Sequence, residues 1–316
     1  MSKSILDSKL FHDEAAAYRF VEAKVWPNGP VCPHCKADKD KVGALKGNST
    51  RHGVYKCYGC RKPFTVKVGT IFEASHVKMN LWLQAIYLMC SSKKGISSNQ
   101  LHRTLGVTLK TAWFMSHRIR EAMKVDTASE GPLGGEGQTV EADETFWGPG
   151  RAIFETGKGW VGERGTGGKM KVLTVVERKG RARSLVAKSL PAKKAQEFIG
   201  QNVDAESRLV SDEAPMYPRI GKGFAGHETV NHSQLEYARG DVTTNTVEGF
   251  FSVFKRGMRG TYQHCGEQHL QRYLAEFDFR YSNRKSLGVD DVLRTEAAVK
   301  GVVGKRLTYR TTSQRA

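Results

Sequence analysis

Three acidic residues stand at positions where they could bind a metal ion. Asp143 lies in a strand-like stretch, TVEADETFWG, over residues 139–148, and Asp212 ends a second apolar run, SRLVSD. Glu248 lies in an apparent helix further along the chain. Carboxylate oxygens from separate elements are the ligands that hard divalent cations prefer. The sequence therefore predicts a magnesium site at Asp143, Asp212 and Glu248.

The strand around Asp143 has an alternative interpretation. Val140 and Ala142 fall on one face of this strand, and Glu141 and Asp143 fall on the other. Acidic residues are depleted in strands, and an isolated pair of them is more typical of an exposed polar face. The two acidic residues further downstream favour the metal site instead.

The helix TTNTVEGFFSVFKRGMRG, residues 243–260, carries an amide, an acid and a base on one stripe. Asn245 and Glu248 are i,i+3 neighbours, and Lys255 lies at i+7 from Glu248. A plain surface helix has a similar pattern. Either Glu248 or Asn245 could be the third ligand. A carboxylate brings charge to a dication site and an amide brings only a dipole, which favours Glu248.

Two CxxC pairs predict a second, different metal site near the N-terminus. Cys32 and Cys35 form one pair, Cys57 and Cys60 form the other, and residues 36–56 lie between them. This spacing is slightly longer than the gap of about 15–20 residues that is usual in a four-cysteine zinc ribbon. Four protein ligands leave no open position, so the zinc should be structural. A redox CxxC is the alternative, and the duplication of the pair disfavours it.

Residues 97–124 predict a short helix, a glycine turn and a second, basic helix. Ser97 with Gln100 has the spacing of a capping box, and Thr108 should cap the second helix. This outline is that of a helix-turn-helix, although small helical hairpins are common. The residues expected on the outer face of the second helix, where DNA would bind, are Lys110, Thr111, His117, Arg118 and Arg120.

Composition points to a polyanionic partner. The chain has 316 residues and a formal net charge of +18, which favours nucleic acid over a membrane surface or a merely soluble basic surface. The sequence contains no run of about 18 apolar residues, and its first residues lack the apolar core of a signal peptide. We therefore expect a cytoplasmic protein without a membrane span.

The order of the patterns predicts several domains and an α/β (α+β overall) fold. A glycine-rich segment over residues 148–168, with basic Arg151, Lys158 and Arg164 and followed by Lys169, is predicted to be a functional flap or disordered. The strand order β-β-β-α-β after residue 139 indicates a mixed sheet. The predicted boundaries are an N-terminal helix and zinc ribbon at 1–75, a helix-turn-helix-like domain at 76–125, a linker at 126–138, a catalytic domain at 139–290 and a basic C-terminal tail at 291–316.

Together these features resemble one protein family. The four cysteines, the helix-turn-helix-like segment and the motifs EADET, LVSDE and NTVEGFFSVFKRG with YLAEFDFRYSNR resemble prokaryotic insertion-sequence DDE transposases that carry an N-terminal zinc ribbon, over roughly residues 15–288. The resemblance implies an RNase H-like catalytic domain with a mixed five-stranded sheet flanked by helices. It matches Asp143 and Asp212 to the two aspartates, Glu248 to the helical glutamate and Lys255 to the basic residue that follows. Some relatives have asparagine as third member, which keeps Asn245 as the alternative.

The resemblance also implies an activity. Two catalytic Mg²⁺ or Mn²⁺ ions would promote in-line phosphoryl transfer on double-stranded DNA, with the element ends and the target as substrates. Lys255 and Arg256, with His232, would contact DNA near the scissile phosphate, and the protein would act as a nucleoid-associated homo-oligomer. Two alternatives remain open: a non-catalytic zinc-ribbon/helix-turn-helix regulator, and a nuclease or resolvase on the same fold.

Overall fold

The computed structural model describes residues 4–47, 49–125, 127–150, 152–157, 159–162, 166–236 and 238–308. The chain forms two compact units. We call Met1–Lys124 with Val289–Ala316 the ribbon unit, and Val125–Gly288 the sheet unit. Within the described ranges, no helix is both long enough and apolar enough to cross a bilayer.

The described residues form the following helices and strands. The α-helices are α1 Glu14–Val25, α2 Met79–Ser91, α3 Ser98–Leu105, α4 Leu109–Ala122, α5 Thr127–Glu130, α6 Ala192–Asn202, α7 Tyr217–Gly221, α8 Asn245–Gly257, α9 Leu270–Ser282 and α10 Asp291–Lys300. The strands are β1 Val42–Ala44, β2 Tyr55–Cys57, β3 Pro63–Phe64, β4 Thr139–Trp147, β5 Ala152–Glu155, β6 Gly159–Gly162, β7 Met170–Glu177, β8 Ala182–Ala187, β9 Arg208–Asp212 and β10 Gly226–Val230.

After α1, the ribbon unit forms a small sheet beside the cysteines. Strands β1, β2 and β3 pair antiparallel in that order. Trp26, Tyr55 and Phe64 pack their rings together beside the buried Cys32 and Cys57. So small a sheet has little apolar surface of its own, and a bound metal ion would supply much of its stability.

The predicted pair of helices with a glycine turn is confirmed. Ser97 accepts the Gln100 N–H at the start of α3, and Thr108 accepts the Thr111 N–H at the start of α4. Between them Gly106 has φ of +64°, a left-handed conformation that costs glycine little.

The predicted basic outer face of α4 is wrong at three positions. His117, Arg118 and Arg120 are buried rather than exposed. The Arg118 guanidinium donates to the carbonyl oxygens of Ile71 and Glu73, both at 2.8 Å. An arginine whose head group meets backbone carbonyls can lie in the interior, and polarity in the sequence does not reveal this. Arg118 and Arg120 are therefore not available to bind phosphates.

The predicted basic tail also needs correction, because its first part is helix α10. Asp290 caps this helix by accepting the Leu293 N–H at 2.8 Å, and Ala298 and Val299 are buried on its inner side. Arg294 donates to the Cys90 carbonyl at 2.7 Å and so joins α10 to the end of α2. Residues 309–316 of the predicted tail lie outside the described residues.

The sheet unit contains the predicted mixed five-stranded sheet. Its strand order is β10-β9-β4-β7-β8, in which β10, β9 and β4 are parallel and β7 is antiparallel to both β4 and β8. Thr139 of β4 pairs with Arg208 of β9 and Ala142 pairs with Ser211, so the carboxyl end of β9 lies beside the middle of β4. Asp212 is the last residue of β9, and Asp143 is the next residue of β4 after this pairing.

Helices cover both faces of this sheet. Val140 and Ala142 of β4 belong to a core with Ile199 of α6 and Tyr217 of α7. On the other face, the aromatic residues of α8 and α9 pack on β7 and β8. The side chains of a strand alternate between faces, so Glu141 and Asp143 lie on the side of α8.

The segment predicted to be a flap contains regular structure. Strands β5 and β6 form an antiparallel hairpin within residues 148–168. Arg151, Lys158 and Arg164 lie outside the described residues. The predicted linker is also partly structured, because Leu133 is buried in the same core as Val140 and exchanges backbone hydrogen bonds with Asn202 and Asp204.

Arg118 should be important for stability. We expect Arg118→Ala to lower the free energy of unfolding by about 2 kcal/mol or more, because it leaves buried carbonyl oxygens without a donor. Arg103→Ala, at an exposed position of α3, should change stability by less than about 0.5 kcal/mol. Chemical denaturation of the full chain measures both. Equal losses for the two variants would contradict this role of Arg118.

Candidate metal centres

The four predicted zinc ligands lie together. The sulfur atoms of Cys32, Cys35, Cys57 and Cys60 are all within 4.8 Å of one another. Cys32 Sγ is 3.7 Å from Cys60 Sγ, and Cys35 Sγ is 3.6 Å from Cys57 Sγ. A tetrahedral ion with Zn–S bonds of about 2.3 Å requires neighbouring sulfurs to be about 3.8 Å apart. The four thiols therefore fit one structural zinc ion.

A second cluster lies where the carboxyl end of β9 meets the middle of β4. Asp143, Glu144 and Asp212 each offer a carboxylate oxygen, and these oxygens lie within 4.8 Å of one another. The parallel pairing of β4 with β9 brings them there, since its last pair, Ala142 with Ser211, directly precedes Asp143 and Asp212. Local hydrogen bonds hold both aspartates: Asp143 accepts the Glu144 N–H at 2.6 Å, and Asp212 accepts the Ala214 N–H at 3.1 Å.

The electrostatics of this cluster favour a bound cation. Burial, followed by the charge of Asp212, raises the pKa of Asp143 to about 8. Burial also raises the pKa of Asp212 and of Glu144. A raised pKa means that the surroundings do not compensate the negative charge that the carboxyl group acquires when it loses its proton, and a bound cation would compensate it. Their oxygens are the ligands that Mg²⁺ and Mn²⁺ take, so the donor set fits such an ion.

Glu144 is the member of the cluster that sequence reasoning missed. Its side chain lies on the α7 side of the sheet, where it accepts the Tyr217 hydroxyl at 2.7 Å. Burial raises the pKa of Tyr217 well above its ordinary value, so this hydroxyl keeps its proton and remains a donor. In the sequence Glu144 directly follows Asp143. Because the side chains of a strand alternate between its two faces, this position predicts Glu144 on the face opposite Asp143 and not in one cluster with it.

Glu248 lies in a cleft beside the cluster. The cleft has a volume of about 400 Å³, and its lining includes Asp143, His232, Glu248 and Lys255. Glu248 Oε1 accepts the Thr244 hydroxyl at 3.0 Å and lies 3.6 Å from His232 Nε2. Its carboxylate is outside the group of three that share the 4.8 Å spacing.

The remaining candidate residues occupy different places. Asn245 is exposed and is not among the described residues that line the cleft. Arg256 is exposed on α8, where its Nε donates to the Ser252 carbonyl at 3.1 Å. Lys110 is exposed near the start of α4 in the ribbon unit. Of the predicted residues on α8, Glu248 and Lys255 therefore share the cleft with Asp143.

Comparisons with known proteins match the two regions of the chain that contain these candidate metal centres. A family model described as a transposase zinc-ribbon domain matches residues 12–63, and one described as an ISXO2-like transposase domain matches residues 132–282. A curated relative, an uncharacterised protein in transposable element ISH50 of Halobacterium salinarum, is 25% identical over 293 residues. The alignment covers 86% of this chain and 92% of the relative. The matched ranges contain the four cysteines and all three predicted acidic ligands.

Two solved structures are similar at a low level. The Mos1 strand transfer complex has a TM-score of 0.29 at 15% identity, covering 69% of this chain and 73% of that chain. The Mos1 transposase paired-end complex with left transposon end has a TM-score of 0.28 at 13% identity, covering 70% and 73%. Similarities of this size carry no argument for this chain.

The cysteine cluster predicts one zinc ion per chain. Cys57→Ser should abolish zinc binding and unfold the ribbon while the sheet unit stays folded, because zinc binding stabilises such small domains by about 10–16 kcal/mol. Cys265→Ser is the matched control, since this thiol lies in the sheet unit, and it should keep the zinc. Elemental analysis with amide hydrogen exchange tests this. A wild-type protein purified without zinc would contradict it.

The raised pKa of Asp143 predicts a pH-dependent stability. The folded protein holds this proton up to about pH 8, whereas the ordinary pKa is 3.8, so stability should fall as pH rises between these values. Asp143→Asn removes this loss. The free energy of unfolding of Asp143→Asn minus that of the wild type should therefore increase with pH between these two pKa values and become constant above about pH 8. Urea denaturation without Mg²⁺ or Mn²⁺ measures the gain. Glu197→Gln, at an exposed position of α6, is the control. A pH-independent gain for Asp143→Asn would contradict this account.

Proposed function

We propose that this chain, which belongs to the ISXO2-like transposases with an N-terminal zinc ribbon, cleaves DNA at the ends of an insertion sequence and joins those ends to a target. The proposed catalytic ligands are Asp143, Asp212 and Glu248, which would hold two Mg²⁺ or Mn²⁺ ions. Both steps are in-line phosphoryl transfers at one site. The observation that carries the proposal is the convergence of Asp143 and Asp212 at one edge of the sheet.

Bound divalent cations would activate the attacking hydroxyl and stabilise the leaving oxygen of the DNA strand. The chain's own residues supply position and charge. Asp143 and Asp212 lie on parallel strands of one sheet, so their spacing is fixed before substrate binds. Lys255, in the same cleft, is placed to contact a phosphate of the bound strand.

Glu248 is preferred over Asn245 as the third member of the site. It lines the cleft with Asp143, and its charge contributes to the raised pKa of that residue. Its side chain is 49% exposed, so it has room to change rotamer, and we propose that metal binding would turn its carboxylate toward the aspartates. Glu144 is a further candidate ligand because it lies within the carboxylate cluster.

Double-stranded DNA is the proposed partner. The net charge of +18 supports a polyanionic ligand, and exposed Lys110 and Arg256 replace the buried arginines of α4 as candidate phosphate contacts. Joining two ends of one element requires two copies of the active site, which supports a homo-oligomer on DNA.

Substitution of the three acids tests this function. Asp143→Asn, Asp212→Asn and Glu248→Gln should each reduce cleavage and strand transfer by roughly 10³-fold, which is ~4 kcal/mol of transition-state stabilisation. Asn245→Ala should be much milder, and Glu197→Gln should leave the activity unchanged. DNA affinity should be retained in every variant. The assay uses a labelled terminal repeat, a target plasmid and Mg²⁺ or Mn²⁺.

The products distinguish the alternatives. Joined product supports a transposase. Cut DNA without joining identifies a nuclease or resolvase, and DNA that is bound but intact identifies a regulator; either result contradicts the proposal. A greater loss for Asn245→Ala than for Glu248→Gln would move the third position to Asn245.

A further inference from the structure

Glu141 is a buried carboxylate in the strand that carries Asp143. Its side chain is fully buried. Its Oε2 accepts the backbone N–H groups of Thr246 and Val247 at 2.8 and 3.0 Å. Its Oε1 accepts the Thr246 hydroxyl at 2.8 Å and the Arg178 Nε–H at 2.7 Å. Each oxygen therefore has two donors, which accounts for all the acceptor sites of a carboxylate.

These contacts replace the local cap of α8. The first N–H groups of a helix have no partner within the helix, and the residue before it usually supplies one. Thr244 occupies that position, but its side chain does not cap the helix. Its hydroxyl donates to Glu248 instead. The carboxylate of Glu141, which lies on β4, caps the helix instead. Its negative charge also interacts favourably with the positive end of the helix dipole.

Arg178 completes the arrangement. It lies directly after β7, and its Nη2 donates to the Thr243 carbonyl at 2.9 Å in the segment that enters α8. Its backbone N–H donates to the Thr139 carbonyl at the start of β4. A buried carboxylate requires such a partner because removing an unpaired charge from water is costly. Arg178 therefore joins the start of β4, the side chain of Glu141 and the approach to α8.

This arrangement links the first acid to the third. Glu141 and Asp143 lie on one face of β4, two residues or about 7 Å apart. Glu248 directly follows Val247, the last residue whose N–H Glu141 accepts. The position of the first turn of α8, and with it the Glu248 backbone, is therefore set from the strand that carries Asp143.

We propose that Glu141 is a positioning residue for the metal site: by capping α8 from β4, it fixes the distance between Glu248 and the two aspartates. The inference rests on the proposed function of those three acids. Glu141 does not bind metal itself, because its oxygens are already occupied by donors and it is outside the carboxylate cluster. Its effect reaches the site through the backbone of α8.

Glu141→Gln tests the proposal with a side chain of the same shape. Glutamine has one oxygen where glutamate has two, and its amide group would face the donors that the second oxygen accepts. Hydrogen exchange of the Thr246 and Val247 amides should therefore accelerate at least about tenfold, since among the described residues Glu141 is the acceptor of both N–H groups. Titration with Mn²⁺ alone should show about 10–100-fold weaker binding, the usual loss when a partner that orients a ligand is removed.

Two controls separate positioning from general loss of stability. Ile199→Ala opens the core on the opposite face of the sheet and should destabilise the unit without exposing the α8 amides or weakening Mn²⁺ binding. Thr246→Ser keeps the hydroxyl that donates to Glu141 and should behave as wild type. The proposal is overturned if Glu141→Gln leaves both exchange and Mn²⁺ affinity within about twofold of wild type. It is also overturned if Ile199→Ala weakens Mn²⁺ binding equally.

A further variant distinguishes this inference from the proposed function. If Asp143→Asn binds Mn²⁺ as tightly as wild type, the aspartates are not the metal ligands and the proposed function fails. The exchange rates of the Thr246 and Val247 amides still decide whether Glu141 caps α8, because they need neither metal nor activity.

Discussion

Repulsion between carboxylates at one edge of the sheet is the constraint on which the sheet unit depends. Asp143, Glu144 and Asp212 are held within 4.8 Å of one another, and burial limits the screening that water could provide. The protein responds by keeping a proton on Asp143 up to about pH 8. A fold that places acids this close must obtain its stability elsewhere. The two apolar cores that flank the sheet provide it.

The structural acids and the candidate catalytic acids of the sheet unit have different surroundings. Glu141 is buried with four donors and an arginine beside it. Buried Asp278 accepts both the N–H and the hydroxyl of Ser184, and so joins α9 to β8. Asp143, by contrast, faces other acids across a cleft. Acids that accept hydrogen bonds from other elements hold the fold together, while those at the cleft retain the capacity to bind a cation.

Sequence patterns predict short-range chemistry well in this chain. The cysteine spacing identifies the four sulfurs that lie together, and acidic residues in two strand-like runs identify Asp143 and Asp212, because strand periodicity and parallel pairing are regular. Burial of polar side chains is not regular. Arg118 and Arg120 were expected outside because arginine is polar, yet the carbonyls that Arg118 contacts come from residues 71 and 73, far away in sequence. The role of Glu141 was also hidden, since its donors on α8 are about a hundred residues away.

Anomalous X-ray diffraction from crystals grown with Mn²⁺ tests the central claim most directly, because it locates the ion independently of activity. The account predicts a manganese peak between the carboxylates of Asp143 and Asp212, at about 2.1–2.2 Å from an oxygen of each, with Glu248 turned toward it. The same crystals at the zinc edge serve as an internal check, through a peak among the four cysteine sulfurs. A zinc peak without any manganese at the two aspartates, under conditions where the protein is active, would contradict the account.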